Sequence, residues 1–476
     1  MIFNRPSRLL PALILAAAAA HAAPVLIATG SLTPTSDLSG LTGPLEGGTA
    51  GNMLGGIGSG LAWAGGNTFL AVPDRGPNAV PYAGGAIVDN TQSYIARIQT
   101  LTLSLTAGGG AGGLPYSMTT SLDATTLLYS PTPLNYGSTS SLPSGVPAAN
   151  TAGVNYFTGR SDGFAPGLST NPNDARLDPE AIRVSNDGKT AFVADEYGPY
   201  VYQFDRATGE RIKSFALPDH FAISNLNSVG AAEISGNTSG RVTNKGMEGL
   251  AISPDGKTLI GFMQSPLIQD GGDGGRANRI VTIDVASGAT HEYAYDNIIG
   301  TKAFNSSEIL ALNDHQFLVL ERDGKGLGDG SAAKVKSIYA VDIAGAADVS
   351  SMSGAADLLA RAPSKTLFLD MESALKAFGM PETAIPAKLE GMAFGDDIVN
   401  SGIVYHTLFV SNDNDFIPGI AGPNIFYAFS FTDADLAAGH LTFEKQGIVP
   451  EPQSLALMLL GLGLLAITVR RRNLAV

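Results

Sequence analysis

The sequence predicts an all-β fold of the propeller kind, and three observations carry that reading. The chain has 58 Gly and 27 Pro in 476 residues, with only 7% aromatics. That is the composition of many short strands joined by turns. A hairpin unit recurs: DPEAIRVSNDGKTAFVADEYG, from Asp178 to Gly198, has relatives at Met247–Pro266, Ser307–Gly324 and Leu389–Phe416, and a weaker copy at Gly58–Asn78. Each unit is followed by a further strand-like run, such as YVYQFDRATGE or RIVTIDVASG. Three or four short strands per unit, repeated along the chain, make propeller blades. Five units are detectable and six blades are expected. The sixth would lie in Leu114 to Asn173 or be closed by the strand near Val25–Gly30.

In chain order, residues 1–23 read as a signal peptide: Arg5 and Arg8 precede the apolar LLPALILAAAAA, and Ala20-His21-Ala22 is a small-x-small cleavage site. Residues 24–447 are the propeller. Within them TAGGGAGGLPYS (Thr106 to Ser117) and SSLPSGVPAAN (Ser140 to Asn150) lack periodicity and read as excursions from the rim. Residues 448–476 hold Pro450-Glu451-Pro452, an uncharged apolar run from Ser454 to Val469, and Arg470, Arg471 and Arg472. That run is barely long enough to span a bilayer as a helix, and the arginines would stay on the cytoplasmic side.

The order of triplet, apolar helix and Arg cluster resembles the PEP-CTERM sorting signal of Gram-negative bacteria. The resemblance implies signal peptidase and an exosortase-type protease as processing partners. It also implies a transient inner-membrane anchor through this helix alone, and delivery to the cell surface or matrix. Losing both ends removes five Arg and leaves a body more acidic than the full chain's −14. This charge argues against nucleic acid as a partner and permits cation binding. The chain has no Cys, which excludes disulfides, thiol catalysis and Cys-based zinc sites.

In each hairpin the start of the first strand and the end of the second share one edge, and radial repetition gathers these edges around a channel. The leading acids are Glu180, Glu248, Glu308 and Glu390. The trailing groups are Asp74-Arg75, Asp195-Glu196, Gln264, Glu321-Arg322 and Asn412-Asp413. Converging carboxylates repel one another unless a cation or an Arg compensates. Ca²⁺, which takes six to eight oxygen ligands, or another divalent cation is the expected cofactor, with no organic cofactor. The candidate ligands are Glu180, Asp195, Glu248, Glu308, Glu390, Asn412 and Asp413. The bland alternative is that these side chains clamp neighbouring blades by hydrogen bonds. Arg75 and Arg322 each stand beside an acid and suit bidentate recognition of phosphate or carboxylate, or else interblade ion pairs. Lys245 and Lys388 would help hold an anion or lie solvated at the surface. IQDGGDGGR (Ile268 to Arg276) and RDGKGLGDG (Arg322 to Gly330) read as rim loops.

Taken in order, DRGPN, DPEAI…DEYGPY, NKGMEGLAISPDGKTL…MQSPL, ERDGKG and KLEGMAFG…NDNDF resemble the phytase-like family, also described as "esterase-like activity of phytase". The resemblance covers about Gly51 to Phe431 and implies a propeller with phosphoester or ester hydrolase activity. Asp74, Arg75, Glu180, Asp195, Glu196, Glu321 and Arg322 are the candidate catalytic residues, by motif position. No Walker loop or His-x-x-x-His pair is present. The expected function is cation-assisted hydrolysis of a small anionic ester. The alternatives are a non-catalytic propeller binding matrix polysaccharide or protein, and a lactonase-type hydrolase.

Overall fold

A computed structural model describes residues 24–78, 91–137, 146–160, 164, 167–227 and 229–449. The signal peptide, the sorting helix and most of the Ser140–Asn150 loop lie outside these residues. No helix among them is long and apolar enough to cross a membrane.

Five antiparallel sheets are arranged as blades. Blade 1 is Gly60–Trp63, Thr68–Val72, Arg97–Ala107 and Tyr116–Leu127. Blade 2 is Pro179–Val184, Thr190–Asp195, Tyr200–Asp205 and Arg211–Ala216. Blade 3 is Met247–Ile252, Thr258–Met263, Ala277–Asp284 and Thr290–Asp296, and blade 4 is Asn305–Ala311, Gln316–Arg322, Lys336–Asp342 and Lys365–Asp370. Blade 5 takes Leu389–Phe394, Ile403–Asn412 and Ile425–Phe431 from the end of the domain, and its outer strand, Val25–Ser31, from the beginning. The first strands contact one another in sequence, and blade 5 contacts blade 1, so the ring is closed.

Among the described residues there is no sixth blade. The region given to it supplies the outer strand Tyr116–Leu127 of blade 1 and a two-residue bridge, Tyr129–Ser130 with Asn155–Tyr156. Val25–Ser31 closes the fifth blade. Thr106–Ser117 is also less loop-like than expected. Pairing runs to Ala107↔Tyr116, so the segment is the tip of one long hairpin.

The core lies between blades. Leu70, Ile98, Ile182, Val193 and Tyr202 fill the gap between blades 1 and 2, and Leu318, Ile338, Met392, Leu408 and Phe429 fill the gap between blades 4 and 5. The first strands pack so closely that small residues stand at the contact. A Cβ on Gly249 would lie 2.8 Å from the Ile309 nitrogen, and one on Gly60 would lie 2.8 Å from the Ala181 Cα.

Candidate functional site

Strand register decides which polar groups reach the channel. In blades 2 to 5 the pairs Pro179↔Asp195, Met247↔Met263, Ser306↔Glu321 and Leu389↔Asn412 are equivalent, each followed on the first strand by a register shift. Successive side chains in a strand point to opposite faces. The neighbours of these pairs therefore face the axis: Glu180, Glu248, Ser307 and Glu390 on the first strands, and Glu196, Gln264, Arg322 and Asp413 on the second. Asp74 holds the corresponding place in blade 1, two residues beyond the Gly60↔Val72 pair.

The result is a mouth at one end of the channel, with a cavity of about 430 Å³ lined among others by Asp74, Arg75, Glu180, Glu196, Glu248, Gln264, Arg322, Lys388 and Glu390. Two acid groups converge in it. The ligand oxygens of Asp178, Glu180 and Glu196 lie within 4.8 Å of one another, as do those of Asp74, Asp413 and Asp415. Arg75 donates to Asp178 through its backbone N–H at 2.8 Å and its guanidinium at 3.0 Å. Its Nη1 is 4.0 Å from Glu196. Arg322 pairs with Glu390 and stands 4.0 Å from Glu248, which accepts from Gln264 Nε2 at 2.6 Å. Lys388 pairs with Asp413 at 2.8 Å and with Asp415.

Three cations do not neutralise this many acids. Burial, then Glu248 and Asp178, push the Glu180 carboxyl well above its ordinary range. Burial, then Asp178 and Glu248, do the same to Glu196, and burial with Asp413 raises Asp74. Burial and Glu390 push Glu248 up to about 8. Asp413 is the exception: burial opposes its charge, but Lys388 holds it below the usual value. Glu196 Oε2 is buried without a hydrogen-bond partner, although its Oε1 accepts from the Gly246 N–H at 3.2 Å. Glu180 is 6% exposed, and its carboxylate has no hydrogen-bond partner among the described residues. A donor set of crowded carboxylate oxygens with an orphaned buried oxygen fits a hard cation such as Ca²⁺. Asn244, Asp415 and Phe416, at or beside the mouth, adopt positive φ of 54°, 51° and 55°. Strain of this kind collects at functional sites.

The structure places the other candidates elsewhere, because strand parity turns them away. Asp195 accepts from the Asp178 and Tyr197 N–H groups at 3.1 and 3.0 Å, and burial pushes it up to about 7. Glu321 faces the outer strands and binds Tyr295 and Lys365. Asn412 accepts from the Ile425 N–H at 2.6 Å and donates to the Pro423 carbonyl. Glu308 stands one residue out of step with the leading acids. It occupies the position held by Ala181, Gly249 and Gly391 and reaches Arg183 across the axis at 2.9 Å. Glu308 and Glu321 reach groups of a neighbouring blade, whereas Asp195 and Asn412 bond within their own. Lys245, by contrast, lines the mouth, where it pairs with Asp273 at 2.7 Å. Asp178, Asp415 and Arg183 are the site and channel residues missed as candidates. An Arg in an otherwise apolar first strand, where other blades carry Ala251, Leu310 and Ala393, was the available signal.

Asp195→Ala should therefore destabilise the fold by about 1–3 kcal/mol through two unpaired buried N–H groups, leaving cation binding at the mouth intact. Urea melts and calcium titration check both halves.

A family model described as phytase-like, esterase-like activity of phytase, matches residues 52–416. A model of the PEP-CTERM protein-sorting motif matches residues 449–472, which marks an exported protein of a Gram-negative bacterium. An uncharacterized secreted protein of Arthroderma benhamiae is 31% identical over 317 residues, covering 59% of this chain. The chain spans only 57% of that relative's length. Among solved structures, a putative 6-phosphogluconolactonase from Bacteroides uniformis aligns at 12% identity and TM-score 0.31 over 84% of this chain and 94% of that one. The periplasmic gluconolactonase of Pseudomonas aeruginosa aligns at 13% and 0.30 over 86% and 99%. With five blades, their axial acids and a family match across most of the propeller, the chain belongs to the phytase-like family.

Proposed function

We propose that the mouth hydrolyses small anionic esters, phosphomonoesters first among them, with a bound divalent cation. The observation that carries this reading is the crowded acid cluster Asp178–Glu180–Glu196, in which Arg75 hydrogen-bonds with Asp178 alone of the three, set at a solvent-connected cavity. These three residues would hold the cation, which would polarise the ester oxygen and lower the pKa of a bound water. Arg75 and Arg322, already placed over carboxylates, offer guanidinium donors to an anionic group. Lys388 adds a point charge and keeps Asp413 ionised. The protein's own negative field would otherwise repel such a substrate, so cation and arginines together make the mouth receptive.

The test is turnover of p-nitrophenyl phosphate, a carboxyl ester and a lactone by the exported body, with Ca²⁺ or EDTA. Phosphatase activity that needs the cation is expected. Cation-dependent cleavage of the lactone alone would favour the lactonase reading, and no turnover of any of the three would leave a binding propeller.

A further inference from the structure

The end of the channel opposite the mouth is closed by the last described segment. Each first strand runs from the mouth inward, so Val184 lies about four residues, roughly 13 Å, beyond Glu180. There a strap, Leu441 to Val449, crosses the far face. Asn313 Nδ2 donates to Thr442 Oγ1 at 2.8 Å, and the Glu444 N–H donates to the Leu312 carbonyl at 2.8 Å. Lys445 lies 4.5 Å over the Trp63 ring and pairs with Asp396 at 2.9 Å. Gln446 Nε2 donates to the Val184 carbonyl at 2.8 Å and Asn186 Oδ1 at 2.7 Å, and the Val449 N–H donates to the Asn186 carbonyl at 2.9 Å. Ile448 is buried in the core between blades 1 and 2. The strap thus touches blades 4, 5, 1 and 2 and ends pinned at Val449.

The apolar run begins at Ser454. About five residue steps, at most roughly 18 Å of extended chain, separate it from that pinned point. We propose that, while this run is inserted in a bilayer, the strap holds the propeller with its far face against the lipid surface and the acid mouth turned away from it. A short tether that leaves the far face at the Asn186 turn of blade 2 limits how far that face can tilt from the lipid. The mouth is then open to solvent before the chain is released, whatever chemistry it performs.

The absence of Cys allows a direct test on the full chain. Lys189→Cys and Lys257→Cys place a fluorophore on exposed far-face turns, and Lys325→Cys places one beside the mouth. Each removes one lysine, so charge is matched. The labelled chains are reconstituted in phosphatidylethanolamine–phosphatidylglycerol vesicles carrying a headgroup quencher. Quenching at 189 and 257 several-fold stronger than at 325 is expected. A long Gly/Ser insertion between Val449 and Pro450 should erase most of the difference. Equal quenching at both faces without the insertion, stronger quenching at 325, or none at any position overturns the proposal.

Discussion

Glu308→Ala should cost about 3–5 kcal/mol, the loss expected when one partner of a buried ion pair is removed. Arg183 would be left charged in the channel interior. Its Nη1 donates to the Leu61 carbonyl at 2.7 Å and to Ile182, and its Nη2 to the Ile309 carbonyl at 2.9 Å. Glu308 itself accepts from the Leu250 and Ile309 N–H groups, both at 3.0 Å. This single pair therefore ties blades 1, 2, 3 and 4 across the axis. Glu308→Gln keeps the hydrogen bonds but leaves the guanidinium uncompensated, so it should fall between Ala and wild type. Replacing both members, Arg183→Met with Glu308→Leu, should cost less than Glu308→Ala alone, because no charge stays buried without its partner. Urea midpoints at constant m-value measure the series. A loss below about 1 kcal/mol for Glu308→Ala would mean that water reaches Arg183 and that the clamp is not one.

Glu180→Gln with Glu196→Gln should abolish the calcium response and, in the apo protein, raise stability. The two effects have opposite sign because the same carboxylates are useful to a cation and costly without one. At about 100 times its dissociation constant, a bound Ca²⁺ would stabilise the folded state by roughly 2.7 kcal/mol, a shift of a few degrees in a domain of this size. The double variant should lose it. It should also lose turnover by at least the roughly 10–100-fold that an outer-shell change alone costs a metal site. Its apo form should gain about 0.5–2 kcal/mol from the relieved repulsion. The pH dependence has the same origin. Glu248 in the folded apo protein holds its proton up to about 8, against an ordinary 4.5. The folded state thus binds more protons than the unfolded between those values, and apo stability falls as pH rises through that window. Calorimetry across pH 5 to 8, with and without Ca²⁺, follows both terms. A less stable apo double variant would identify Glu180 and Glu196 as clamps.

The hairpins, their order and the gathering of their acid edges could be read from the sequence, since each apolar strand and its polar turn are local signals. Which member of each trailing pair faces the axis could not. Asp195 against Glu196, Glu321 against Arg322 and Asn412 against Asp413 differ by one residue, and one residue is the whole parity of a strand. Glu308 was misaligned for the same reason: the register shift lies between Ser306 and Glu308, and it gives the axial place to Ser307. The outer strands were hard to see because one side is solvated. Lys365–Asp370 and Tyr116–Leu127 bury few side chains fully, so their apolar pattern is weak.

The sharing of blade 5 between the two ends of the domain has a kinetic consequence. Val25 pairs with Ser430 and Ser31 with Ile425, so the first strand to leave the translocation pore waits for the last. Until then Val25–Ser31 and the outer edge of Ile425–Phe431 are both unpaired. Contacts this distant in sequence slow folding, because the loop entropy is lost before any pairing repays it. Ring closure is then the last step of folding. A chain stalled late in export would hold four complete blades beside two open strand edges, the form most exposed to pairing with another copy.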